Sequence, residues 1–386
     1  MKIGIYAAEP HPGGEVNYIK TLVRALTPIP GMDVTLYVTP ESFKHFGNNS
    51  ELISIKNTRN FNFRFRATLK DKLRGNLSKF FLFLIGTENP ISVIKMDYKN
   101  IDLLIFPYWA LEAAVINTAY IIIPHDKRAF EHGNYFVHKL NKKIFRRASV
   151  IVAESNLVKN DIVQYSSVND QKIKILVSPP ECGIEAGQES TKNVICRYKL
   201  PQKFLFYPSH INSLKNHANL ILAFAKIRDH YGCNVNLVCT YPSRSLPYFS
   251  RIIDMMTNLR IDSIVFLENI PYGDLIAIYK LATALVMPTL LESVSMPIWE
   301  AFYLGVPVVS SNVCALPEQV GGAGLIFDPN NIDDIAEKIY TIWTNESLRK
   351  ELIQKGYERV KDLTLENYSK QWEEVITMAY QDSYGI

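Results

Sequence analysis

Short apolar runs alternate with helix-length segments along this chain. IGIYA (3–7), VTLYV (34–38), DLLIFP (102–107), AYIIIP (119–124), ASVIVA (148–153) and KIKILV (172–177) read as buried strands. Helical spacing falls at 14–26, 135–147 and 157–165. The period is then lost over 179–202, which holds Pro179-Pro180 and two glycines. It restarts with strands FLFYP (204–208), VNLVC (235–239), SIVFL (263–267) and ALVMP (284–288). Helices are predicted at 216–230, 248–259, 273–282, 333–344, 346–360 and 366–380. Apolar runs of about five, separated by helices, are the mark of an α/β chain with parallel, doubly wound sheets. The pattern predicts two Rossmann-like domains, 1–180 and 204–364, a linker at 181–203, and a terminal helical segment, 365–386. Ligands of such sheets bind at the C-terminal ends of the strands.

One segment stands out, PTLLESVSMPIWEAFYLGVP (288–307). It reads as strand, loop, helix, turn, strand. Pro297 suits a first helical turn, Ser295 before it suits a cap, and Gly305 suits a stop. Loop amides at Ser293–Met296 would then meet a helix N-terminus, which favours anions. Glu292 on the loop and Glu300 on the helix add two acceptor-only carboxylates, better partners for sugar hydroxyls than for phosphate. Either glutamate alone could be no more than a favourable partner for the helix dipole, worth ~0.3–1 kcal/mol.

The composition is globular, with 47% hydrophobic and 21% charged residues among 386. The net charge of +4 is uneven: residues 1–180 carry +9 and the remainder −5. That asymmetry predicts an anionic partner for the first half. Seven basic residues and one acid, Asp71, fall in Arg59–Ile85, with phenylalanines between them. Basic and aromatic residues together suit an anionic membrane surface; a solvated helix face over a Phe core is the plainer alternative. No recognised nucleic-acid module accompanies it, so no nucleic-acid partner is expected. Five scattered cysteines without a CxxC pair argue for reduced thiols and a cytoplasmic setting. The opening MKIGIYAAEP reads as a strand rather than a signal peptide, and no run reaches the ~20 apolar residues of a spanning helix.

The ordered set of Glu292, Pro297, Glu300, Gly305-Val306-Pro307 and Pro317-Glu318 resembles the E-x7-E segment of GT4 retaining glycosyltransferases. The resemblance covers nearly the whole chain and is strongest over 204–329. It implies the GT-B fold: two Rossmann-like domains facing across a cleft, with a C-terminal helix crossing back to the first. It implies an enzyme that moves a sugar from a UDP- or GDP-sugar donor to a hydroxyl of a glycan or lipid-linked acceptor, with surface polysaccharide as the common setting.

The resemblance also assigns residues. His125, in Ile123-Pro124-His125-Asp126, would position the donor sugar, and Lys215, in Lys215-Asn216-His217, would stabilise the leaving diphosphate. His210 stands where the family more often has arginine. Gly13 and Gly14 would lie near the donor phosphates, and Glu268, Asn269 and Ile270 would line the base pocket. Glu300 would bind the ribose, while Glu292 and the amides of Ser293, Val294, Ser295 and Met296 would hold the sugar. The Ser293–Ser295 loop departs from the family's Gly-containing one, so the resemblance does not carry a donor sugar over. The chain has no Asp-x-Asp motif of the kind that holds a metal in the other main glycosyltransferase fold, so neither metal nor cofactor is expected. An inactive GT-B-shaped partner subunit and a nucleotide-sugar epimerase stay open as alternatives.

Overall fold

The computed structural model describes residues 1–7, 14–38, 42, 46, 54–57, 100–114, 116–131, 135–181, 191–241 and 247–385. The expectations for Gly13 and for Arg59–Ile85 lie outside them. The chain splits into two compact units, Met1–Ser178 with Leu365–Ile386, and Pro179–Thr364.

The first unit is built on a parallel sheet. Its described strands are β1 (Lys2–Ala7), β2 (Asp33–Val38), β3 (Ser54–Asn57), β4 (Leu103–Phe106), β5 (Ala119–Ile122), β6 (Val150–Ala153) and β7 (Ile173–Ile175). Their order is β3-β2-β1-β4-β5-β6-β7. β4 and β6 are buried along their whole length, as expected for strands covered on both faces. β3, with sequence SIKN, has no apolar run and is legible only from its pairing with β2.

Helix Gly14–Leu26 buries Val16, Ile19, Leu22, Val23 and Leu26 at helical spacing. Its partner is the last helix, Leu365–Tyr384, which returns to this unit. Tyr368, Trp372, Val375, Ile376 and Ala379 form the buried stripe of that helix. They join the core of Ile3, Ile5, Leu103 and Ile121. Ser369 Oγ donates to the Ala25 carbonyl at 2.6 Å, and Tyr368 Oη donates to Tyr18 Oη at 3.2 Å.

The second unit repeats the plan. Its strands are β8 (Leu205–Tyr207), β9 (Leu237–Tyr241), β10 (Ile264–Glu268), β11 (Ala284–Met287), β12 (Val308–Ser311) and β13 (Gly324–Phe327), in the order β10-β9-β8-β11-β12-β13. Asn331 and Asn345 cap the helices Ile332–Thr344 and Glu346–Val360 by accepting from first-turn amides. Gly305 ends the helix before β12 at φ +70°, in the left-handed region.

Within the stretch expected as linker, the structure places a helix, Thr191–Tyr198. Its only buried residue is Val194, too little for a sequence period. Arg197 and Tyr198 both donate to the buried Asp274 Oδ2 at 2.6 Å, which fastens the helix to the second unit.

Candidate active site

In the second unit, the strand order reverses between β8 and β11, the place where open sheets of this kind bind ligands. Lys215 follows β8 and Glu292 follows β11. The Lys215 ammonium is ion-paired with Glu292 Oε2. Both side chains are about one-fifth exposed, enough to reach a ligand. The turn that carries Lys215 is tied down on several sides. Asn212 caps it, and Asn216, in the left-handed region at φ 56°, donates to the carbonyls of Pro288 and Pro329. The Leu290 amide and the Thr289 hydroxyl both donate to the Leu214 carbonyl. The two loops therefore hold each other at fixed separation. His217 belongs to the core instead: its ring packs against Tyr207, and burial drives its pKa down to about 3, so it is neutral.

Helix Met296–Tyr303 has Pro297 in its first turn and no side chain capping its N-terminus. Glu300 lies on this helix. Tyr279 Oη donates to its Oε2 at 2.7 Å and Tyr272 Oη to its Oε1 at 3.2 Å. Burial raises the Glu300 pKa above the ordinary value, and the two phenols oppose that shift. Tyr272 opens a helix only two residues after Glu268, Asn269 and Ile270. Asn269 there adopts φ +47°, turning the chain sharply at the end of β10. Ser293 and Val294 are half-buried on the loop before Met296, while Ser295 is buried. His210 is exposed on the loop that leaves β8.

Residues 195–359 match the family model for glycosyl transferases group 1. The likeness to that family is thus seen within the second unit. The group 1 domain holds Lys215, Glu292 and Glu300 together. The serotype-specific mannosyltransferase WbdA of Escherichia coli is 26% identical over 223 residues, 56% of this chain and 27% of that protein. The O-antigen chain mannosyltransferase B of the same species is 40% identical over 106 residues, 28% of each chain. The chain thus spans about a quarter of the length of these relatives. The crystal structure of Anabaena Alr3699/HepE in complex with UDP superimposes with a TM-score of 0.74 at 16% identity, covering 98% of this chain and 100% of that one. That likeness shows the fold, a two-domain α/β GT-B fold.

Outside the group 1 domain, the first unit carries a second cluster of polar groups. His125 Nδ1 lies 2.7 Å from Glu154 Oε2, and its Nε2 lies 2.8 Å from the Pro107 carbonyl. A carbonyl only accepts, so Nε2 carries a proton, and a carboxylate opposite Nδ1 calls for another. Burial works against a charged ring. The Glu154 carboxylate outweighs it, with help from Glu15, and the His125 pKa is raised. Tyr18 sits edge-on to the imidazole at 4.9 Å between centroids. Gly14 is exposed at the start of its helix.

Sequence reasoning misses Tyr272, Tyr279 and Glu154. Tyr279 sits among the apolar residues of helix Tyr272–Leu281, where it passes for core. Glu154 follows β6 directly before Ser155, the cap of helix Asn156–Ser166, and passes for part of that turn. Among the described residues, no group of three or more His, Cys, Asp and Glu side chains is arranged to hold a metal ion.

Proposed function

We propose that the chain is a retaining glycosyltransferase that works without a metal ion. It moves a sugar from a UDP- or GDP-sugar to a hydroxyl of a glycan or lipid-linked acceptor in surface polysaccharide assembly. The observation that carries this reading is the Lys215–Glu292 ion pair at the switch point of the group 1 sheet. An ammonium has three donors. Lys215 can keep Glu292 and still donate to the departing diphosphate. Charge that develops on the leaving phosphate oxygen then meets a cation already in place, and losing one such group commonly costs about 10²–10³ in rate.

Glu292 and the amides of Ser293–Met296 hold the sugar hydroxyls, next to an uncapped helix N-terminus that attracts the phosphates. Glu300, oriented by two tyrosines, accepts from the ribose hydroxyls. Glu268, Asn269 and Ile270 flank the base. His125 is assigned no hydrogen bond to the sugar, since Glu154 and the Pro107 carbonyl take both of its ring nitrogens. No side chain is assigned as a nucleophile. The mannosyltransferase relatives and the UDP complex of HepE support a nucleotide-sugar donor.

The same reading has the protein resting on the cytoplasmic face of a membrane. Among the described residues, no helix is long and apolar enough to cross one. Helix Tyr135–Arg147 of the first unit has five basic residues and no acid. Tyr135 is 75% and Phe136 51% exposed at its start, and Lys139, Lys143 and Arg146 are exposed beside them. Such a face gains about 1 kcal/mol per cation near an anionic bilayer.

The deciding experiment is nucleotide release from UDP-, GDP- and ADP-sugars, with a Glu300→Gln control and with EDTA. Release from one donor that survives EDTA and is lost in the variant is expected. Release abolished by EDTA would overturn metal independence. Failure to bind any nucleotide by calorimetry would overturn the donor reading.

A further inference from the structure

The loop that begins at Glu292 is held at Ser295 by a side chain 24 residues beyond that serine. The Ser295 amide donates to Gln319 Oε1 at 2.9 Å, and Gln319 Nε2 donates to the Ser295 carbonyl at 2.6 Å. Both residues are buried, Ser295 at 1% and Gln319 at 4% exposure. The two backbone partners have fixed roles, one donor and one acceptor, so they set which way the Gln319 amide faces. The primary amide thus acts as a one-residue strand partner, gripping both polar groups of a single peptide position.

Ser295 is the residue before helix Met296–Tyr303, the place where a serine hydroxyl ordinarily caps the first-turn amides. Here the hydroxyl caps nothing, and Ser295 Oγ is buried without a hydrogen-bond partner. A capping side chain would fix the loop but would occupy the helix end. Gln319 fixes the loop from behind and leaves that end open. Gln319 is itself anchored. The Arg359 guanidinium donates to the carbonyls of Glu318 and Gln319, and Gly321, at φ +54°, closes the short helix Leu316–Val320 onto Pro317. A Cβ on Gly321 would come within 2.8 Å of the Arg359 guanidinium carbon, so the three residues interlock.

We infer that Gln319 is a positioning residue for the donor sugar, acting through both backbone groups of Ser295 to aim the Glu292–Met296 loop. The inference rests on the donor reading above and extends it. The loop faces the sugar, whereas Glu300 and the β10 end face the nucleoside. Gln319 therefore governs affinity for the sugar moiety and not for the nucleoside diphosphate.

The test is calorimetry on the full chain, comparing each nucleotide-sugar with its nucleoside diphosphate. Gln319→Leu keeps the volume and loses both hydrogen bonds. Gln319→Asn keeps the amide but falls one methylene short. In both, affinity for the nucleotide-sugar is expected to fall about tenfold, the scale of one lost hydrogen bond, while the diphosphate alone binds within about threefold of wild type. Equal loss for both ligands, or no loss for the sugar nucleotide, would overturn the assignment. So would collapse of both variants, which would make Gln319 a residue of stability alone. Wild-type protein that binds diphosphate and nucleotide-sugar equally well would overturn the loop's role in sugar binding. Binding of neither would sink the donor reading itself.

Discussion

Tyr279 donates its phenolic hydrogen to Glu300 at 2.7 Å, and with Tyr272 that bond orients a half-buried carboxylate in the second unit. Glu300 has a raised pKa because burial penalises its charge. Its ionised form is therefore a cost to the fold, growing as pH rises through the folded value. Glu300→Gln is expected to leave thermal stability at pH 7 unchanged or higher, yet to weaken nucleotide binding roughly 10- to 100-fold. Calorimetry and a melting curve on the same sample check both halves. Tyr279→Phe is expected to do the reverse to stability, lowering it more at pH 7 than at pH 4.

Lys215→Ala and Glu292→Ala should each lower turnover about 10²–10³-fold. Because each side chain is the other's partner, the double variant should lose much less than the product of the two. A double-mutant cycle on nucleotide release measures the coupling. Simple multiplicative behaviour would mean that the pair does not act as a unit.

His125 gives a pH signature. Its folded pKa lies above the unfolded value, so the stabilisation from its pairing with Glu154 is complete below about pH 6.5. It fades as pH climbs through the folded value. Glu154→Gln should flatten that fall above about pH 6.5 in urea unfolding. Nitrogen NMR on labelled histidine should find that His125 keeps its second proton to higher pH in the wild type than in the variant.

Trp372 is fully buried between the last helix and the first sheet. Trp372→Ala should destabilise the first unit by about 3–5 kcal/mol. Limited proteolysis should then cut the first unit well before the second.

Exposed Tyr135 and Phe136 predict contact with anionic lipid. Vesicles rich in phosphatidylglycerol should float the protein at low salt and release it at high salt. Lys139→Glu with Lys143→Glu should abolish flotation while leaving nucleotide affinity intact.

Much of this was legible in the chain because the strands are continuous apolar runs that need no tertiary information. IGIYA and ALVMP fall within a residue of β1 and β11. Glu292 and Glu300 stood out because Pro297 and Gly305 fix the ends of the helix between them. β3 did not, since SIKN has no apolar run and is a strand only through its pairing with β2. Gln319 was invisible for another reason. Its role lies in a contact to a backbone, and no side-chain pattern announces which peptide a glutamine will reach.

The return of Leu365–Tyr384 to the first unit has a consequence for biosynthesis. The nascent chain displays helix Gly14–Leu26 long before the ribosome delivers Tyr368 and Trp372 to cover it. At about 5–20 residues per second, Pro179–Thr364 takes roughly 10–40 s to emerge. During that interval the group 1 domain can finish folding, while the half synthesised first waits with an open apolar face. The half made first is expected to mature last, which makes it the natural client of a chaperone.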